Sequence, residues 1–236
     1  MAVAVIVLGI DTATQQAGCA LGGAEGVLAS FHVARGRRHA ETLTPAIQFT
    51  CNQAGVRLRE VSVVAVDVGP GLFTGLRVGV ATAKALAQGL RVPMVGLSSL
   101  DLLAFTVRHT NRLVAAVIDA RRGEVFSAFY RSVPGGVQRL GRPKVSSPEE
   151  VASELMARNE DTLLVGDGAV RHAQVLGGAS HAEVADGGLA YPSAAALVEL
   201  AHPRALREEF VQPWELEPFY LRKSDAELNW ERRASA

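Results

Sequence analysis

Cysteine is nearly absent from this chain of 236 residues: Cys19 and Cys51 are the two it has. With no CxxC pair and no regular spacing, they exclude a disulfide framework and argue against a structural zinc site. Both read as buried thiols in a reducing compartment. Long apolar runs are missing too, since none approaches the ~18 residues a membrane span needs. The apolar opening, residues 1–10, lacks the basic flank and cleavage site of a signal peptide, so it reads as the first strand of a cytoplasmic protein. Charge of one sign is missing as well: 24 Lys and Arg balance 24 Asp and Glu, for a formal net charge of +0. A chain that holds nucleic acid alone normally carries a basic excess. The clusters Arg35, Arg37, Arg38 and Arg121, Arg122 therefore read as solvated surface, and independent binding is not expected.

What is present is ordinary globular material, 48% hydrophobic and 20% charged. It is long enough for two small domains that bury roughly 70–75% of the unfolded surface. Residues 3–21 read as a strand ending at Asp11, a polar turn and a returning strand. A helix over 40–54 follows, with Leu43, Ile47, Thr50 and Ala54 at helical spacing and Gly55 as its cap. The β-branched run Val61, Val63, Val64, Val66, Val68 reads as a buried strand, and a glycine-rich turn leads from it into a second helix. Residues 114–119 restate the opening strand, again ending in aspartate, and 125–130 return. A helix near 148–158 and a glycine-ended strand over 163–168 complete the echo. The order hairpin, helix, glycine-ended strand thus occurs twice and predicts two similarly built α/β lobes. The expected units are 1–103 and 104–226, with a helix near 194–206 packing back on the first lobe and 227–236 a frayed tail.

The turn, VGPGLFTGLRVG over 68–79, has Thr74 placed to cap the second helix. Its glycines can leave backbone N–H groups open to an anion, or can serve strand-to-helix geometry alone. Neither phosphate signature is met. Gly75 is followed by Leu76, with the first lysine only at Lys84, so there is no P-loop. Gly69 and Gly71 are followed by glycine at 75 rather than 74, so there is no dinucleotide fingerprint. Asp11 and Asp119, at equivalent strand ends, could face metal-bound phosphate across a cleft, or could accept backbone N–H bonds as turn residues. No catalytic set for phosphoryl transfer accompanies them. The second helix carries Gly75, Gly79, Ala83 and Ala87 on one stripe that permits close backbone approach. That stripe fits the chain's own sheet or a second protein. Leu76, Val80, Leu86 and Leu90, with Leu43 and Ile47, offer more apolar surface than one sheet face obviously consumes.

Taken together, these residues resemble the TsaB family, bacterial proteins needed to make threonylcarbamoyladenosine beside the tRNA anticodon. The likeness runs through Ile10, Asp11, Thr12, Ala13, Thr14, then Arg38, His39, Ala40, Glu41, then the glycine turn with Val80, Ala81, Thr82, Ala83, Lys84. It continues through Gly96, Leu97, Ser98, Ser99, through 119–125, and through Pro218, Phe219, Tyr220, Leu221, Arg222. Leu72 stands where the family usually has serine.

The resemblance implies a two-lobed α/β fold of the actin-like ATPase superfold. It also implies a noncatalytic scaffold that binds and activates TsaD, the subunit that carries the metal and transfers the threonylcarbamoyl group, with the ATPase TsaE joining them. The implied partner face is His39, Leu43, Ile47, Leu76, Gly79, Val80 and Ala83, through which isolated chains could also form a homodimer. Asp11, Thr12, Gly69 and Gly71 would be a vestigial nucleotide cleft. No cofactor of its own is implied: ATP or ADP would enter the complex mainly through the partners, and tRNA would be met only there. The catalytic relatives carry a paired histidine metal motif in the first helix. Here the residue four positions after His39 is Leu43, so no metal site is expected. The alternative is an autonomous actin-fold small-molecule kinase using Asp11 and Asp119.

Overall fold

In the computed structural model, which describes residues 5–34, 39–179 and 181–222, the chain builds two five-stranded sheets. The expected cluster Arg35, Arg37, Arg38 and the expected tail over 227–236 lie outside the described residues. The first sheet contains β1 (Val7–Asp11), β2 (Ala17–Gly23), β3 (Gly26–Val33), β4 (Val63–Gly69) and β5 (Met94–Ser98). Its spatial order is β3-β2-β1-β4-β5, with β1, β4 and β5 mutually parallel and β2 antiparallel to both of its neighbours, β1 and β3. The second sheet contains β6 (Leu113–Arg121), β7 (Glu124–Val133), β8 (Gly136–Ser146), β9 (Thr162–Val165) and β10 (Ala182–Val184). Its order, β10-β9-β6-β7-β8, is the same ladder again, with β6 in the place of β1 and β9 in the place of β4. This repeated plan is the actin-like ATPase superfold.

The central strands are buried on both faces, which is why β1 and β4 read as nearly continuous apolar runs instead of alternating ones. Helices α1 (His39–Ala54) and α2 (Phe73–Leu90) cover one face of the first sheet, packing Leu43, Ile47, Val80 and Ala83 onto Leu8, Ile10, Val64 and Val66. The opposite face is covered by α7 (Ala194–Leu206), whose Ala194, Leu197, Val198 and Ala201 meet Val7, Ala20, Val63 and Ala65. Helix α3 (Ser99–Thr106) lies between the sheets: Leu102 joins the first core, while Leu100, Leu103 and Ala104 join Val114, Ala116 and Ile118 of the second. The outer face of the second sheet is covered by α4 (Pro148–Arg158) and by the short helices α5 (Asp167–Arg171) and α6 (Ala173–Leu176). Among the described residues no helix is long and apolar enough to cross a membrane.

Two local expectations change. Helix α2 starts at Phe73 with Leu72 as its N-cap residue and no side-chain cap, so Thr74 stands inside the first turn. The cause lies outside the helix: the Leu72 N–H donates to the Ala13 carbonyl at 2.7 Å, and that tertiary bond sets where the helix begins. The sequence reading offers no strand at the four sheet edges, β3, β5, β8 and β10. Strands β3 and β8 have mixed burial, so their apolar signal is weak, and β5 and β10 are short.

The glycines of α2 give a direct test of this packing. A Cβ on Gly75 would fall on the Thr12 carbonyl oxygen, whereas one on Gly89 would meet open space. Helix propensity favours alanine at both positions by up to about 1 kcal/mol. Chemical denaturation should therefore show Gly89→Ala stabilising by a few tenths of that or more, and Gly75→Ala destabilising by about 1–3 kcal/mol as overpacking wins.

Candidate functional site

The cleft ends of β1 and β4 bring Asp11, Thr12, Gly69 and Gly71 into one neighbourhood, as the sequence suggested, but the neighbourhood is closed. The Leu72 N–H reaches Ala13 O, and Thr12 Oγ1 donates to Gly75 O at 2.8 Å. A Cβ at Gly71 would fall on the Ala13 carbonyl oxygen. Glycine is needed here so that two backbone turns can lie against each other. The Gly69 N–H is also taken, donating to Asp67 Oδ1 at 2.8 Å.

Beneath those turns Asp11 and Asp67 are fully buried. Asp11 Oδ1 accepts from the Ala13 N–H at 2.9 Å, and Asp67 Oδ1 accepts from Ser99 Oγ at 2.6 Å. No N–H or O–H of another residue serves either Oδ2 atom. The two carboxyls face each other, so one shared proton satisfies both oxygens. Burial, and then the charge of Asp67, hold Asp11 well above the usual carboxylate range, while burial pushes Asp67 up to about 6. Sequence reasoning singled out Asp11 and missed Asp67, which lay inside an apolar run with no motif around it.

Asp119 on β6 is engaged differently. It accepts from the Arg121 N–H at 2.9 Å, from Arg121 Nη1 at 3.1 Å and from Arg171 Nη1 at 3.2 Å. Asp167 Oδ1 in turn accepts the Asp119 N–H at 3.0 Å, and burial pushes Asp167 up to about 6. Each predicted carboxylate is thus committed within its own sheet, Asp11 to another carboxyl and Asp119 to two guanidinium groups.

The expected partner face turns inward. His39, Leu43, Ile47, Leu76, Gly79, Val80 and Ala83 are all buried within the chain itself. The physical reason is that the most apolar stripe of a helix is claimed first by its own sheet; Gly79, for example, leaves room for the Thr12 side chain. His39 opens α1 beside Gly75 with its Nε2 unpaired, and among the described residues no group of three or more His, Cys, Asp or Glu could hold a metal. The free surface of these helices is a groove of about 580 Å³ between α1, the turn after it and α2. Thr44, Gln48, Asn52 and Thr82 form its polar lip, and Ile47, Val56 and Leu86 contribute to its apolar floor.

The carboxyl pair yields a pH prediction. Asp67 and Asp167 titrate near 6 in the folded protein and near 3.9 unfolded. The native state therefore binds more protons than the unfolded chain across that interval, and stability falls as pH rises through it. Asp67→Asn keeps an oxygen to accept from Ser99 and Gly69 and supplies an N–H for Asp11. Denaturation at pH 8 should find the variant more stable by about 2–3 kcal/mol, with the gain roughly halved at about pH 5 and gone below about pH 4.

Comparison with known proteins fits this geometry. The family model described as TsaD, tRNA N6-adenosine threonylcarbamoyltransferase, matches residues 32–230. The tRNA threonylcarbamoyladenosine biosynthesis protein TsaB of Escherichia coli is 32% identical over 223 residues, covering 93% of this chain and 96% of that protein. The solved structure of YeaZ from Pseudomonas aeruginosa superposes with a TM-score of 0.81 at 30% identity, over 92% of this chain and 100% of that one. Component A of the (R)-2-hydroxyglutaryl-CoA dehydratase of Acidaminococcus fermentans shares the fold alone, with a TM-score of 0.50 at 11% identity over 86% of this chain and 99% of that one. Near-complete coverage at such identity places the chain in the TsaB family.

Proposed function

We propose that this chain is a noncatalytic subunit in the formation of threonylcarbamoyladenosine in tRNA, docking a TsaD-type threonylcarbamoyltransferase through the groove between α1 and α2, with a TsaE-type ATPase joining the assembly. The observation that carries the reading is the contrast between the two sides of those helices. On the inner side, the Leu72 N–H is given to the Ala13 carbonyl and the Gly69 N–H to the Asp67 carboxyl, and Asp11 is held by a neighbouring carboxyl. On the outer side lies a groove of about 580 Å³ with an apolar floor and no segment of the described chain filling it.

A TsaD-type partner fits because the chain itself matches the TsaD family model over 32–230, so the two proteins would present related helix pairs to each other. Two helices per partner are within reach of the ~1,600 Å² of a standard interface. In the assembly this chain would hold its partner in a competent arrangement by binding that state preferentially, which is a population shift and no chemical step. Nucleotide would enter through the partners. A second copy of the chain could occupy the same groove and compete with the working complex.

Thr82 and Asn52 line the groove without belonging to the core. Thr82→Arg and Asn52→Arg should each weaken co-purification with the TsaD-type subunit at least tenfold while leaving the melting temperature within a degree or two. Unchanged affinity in both variants would remove the groove from the account. Product formation by the isolated chain, without any companion, would overturn the noncatalytic reading.

A further inference from the structure

The segment after α7 runs from the core of the first sheet to that of the second, as a strap between them. Leu216 is buried in the first core, and Leu221 packs against the second. Between them the Phe219 N–H donates to Val68 O at 2.7 Å, and beyond them Arg222 Nη1 pairs with Glu124 Oε2 at 2.8 Å. On its outer side the Tyr220 ring lies 5.0 Å from that of Phe73, tilted by 34°. Arg77 sits 4.0 Å over the Phe73 ring and directs Nε to Tyr220 OH at 3.3 Å. The result is an arginine, phenylalanine and tyrosine stack at the surface, with Tyr220 still 41% exposed.

The strap leads directly to a cluster of guanidinium groups. Glu124, the partner of Arg222, faces Arg121 across the β6–β7 turn, and Arg122 follows in that turn. Arg121 and Arg171 both reach in to Asp119, whose side chain is only 6% exposed against 40% and 58% for theirs. At Asp119 the neutralising carboxylate is therefore inside and its two cations outside, whereas in the Arg222 pair Glu124 is the more exposed partner. A zero net charge conceals a local surface that is positive and ends in an exposed aromatic stack.

That combination suits single-stranded nucleic acid, in which unpaired bases extend an aromatic stack and phosphates meet arginines. A duplex would satisfy the arginines but offer no free base to Tyr220. We propose that the ridge formed by Tyr220, Phe73 and Arg77, with Arg121, Arg122 and Arg171 beside it, is a contact for a single-stranded RNA loop. The proposal rests on the reading that the chain serves tRNA modification, and it assigns to this chain an RNA contact of its own.

The test uses the full chain and two labelled RNAs, an anticodon stem-loop and the same stem closed as a continuous duplex, followed by fluorescence anisotropy across a salt series. The stem-loop should bind more tightly than the duplex, with a slope of log K against log salt near −0.7 for each phosphate neutralised. Tyr220→Leu, which keeps an apolar side chain on the strap, should weaken stem-loop binding by about 5- to 100-fold and leave the duplex unaffected. Arg122→Gln, on the other lobe, should weaken both RNAs and lower the slope by about 0.7. Equal affinity for the two RNAs, or stem-loop binding unchanged in both variants, would overturn the proposal. So would a Tyr220→Leu variant that loses the TsaD-type partner and keeps the RNA, because the ridge would then be a protein interface. Partner affinity measured in the groove variants is independent of these outcomes, so either reading can fail without the other.

Discussion

The contact between the turn after β1 and the glycine turn after β4 is the constraint on which the first lobe depends. Two backbones approach so closely that side chains are excluded at Gly71 and Gly75, and the approach is locked by bonds from Leu72 to Ala13 and from Thr12 to Gly75. Three consequences follow from that one closure. Helix α2 starts at Phe73 because Leu72 is held from outside the helix. The small-residue stripe of α2 is spent on β1 and its turn. Asp11 and Asp67 are sealed from water, and burial beside one another favours a state in which a proton is retained between them.

The second lobe repeats the strand order and solves its equivalent position in the opposite way. Asp119 also stands near the cleft end of its central strand, yet it is neutralised by Arg121 and Arg171 and not by a shared proton. Partial exposure of the arginines makes the difference, because a charged pair at the rim keeps its hydration, whereas a fully buried carboxylate cannot. One lobe consequently buries a neutral carboxyl pair, and the other displays guanidinium groups at its surface. The two sheets share one strand order while their equivalent aspartates sit in different electrostatic surroundings.

Much of this architecture was legible in the sequence, and what escaped has physical causes. Helices α1, α4 and α7 could be read because local signals agree: helical spacing closed by Gly55, and the capping box of Ser147 and Glu150. The doubled order of elements could be read because β1 and β6 each end near an aspartate. The edge strands β3 and β8 could not, since their partly buried residues give only a weak apolar signal. Of the partner face that the resemblance implies, Leu43, Leu76 and Val80 are buried within the chain itself. The exposed groove instead shows Thr44, Gln48 and Asn52 at its lip, a pattern no different from an ordinary solvated face. Asp67 and the strap depend on contacts between residues far apart in the chain, and single-sequence periodicity carries no information about those.

Net charge poses the same problem at the scale of the surface. At physiological ionic strength a charge is felt over only about 8 Å, so a ligand at the strap senses Arg77, Arg121 and Arg122 and is blind to acidic residues on the far side. Balance over the whole chain therefore argues against general attraction for polyanions, and it leaves a local contact untouched. Helix α2 shows how a local RNA contact and a protein groove would coexist. Arg77 and Leu86 are separated by nine positions, which at 100° and 1.5 Å per residue sets them on opposite flanks of the helix and about 13 Å apart along it. Between those flanks runs the buried stripe that ties α2 to β1. An occupant of the groove at Thr82 and Leu86 would leave Arg77 uncovered, so the strap side and the groove side can be engaged at once, each anchored through α2 to the same closed turn.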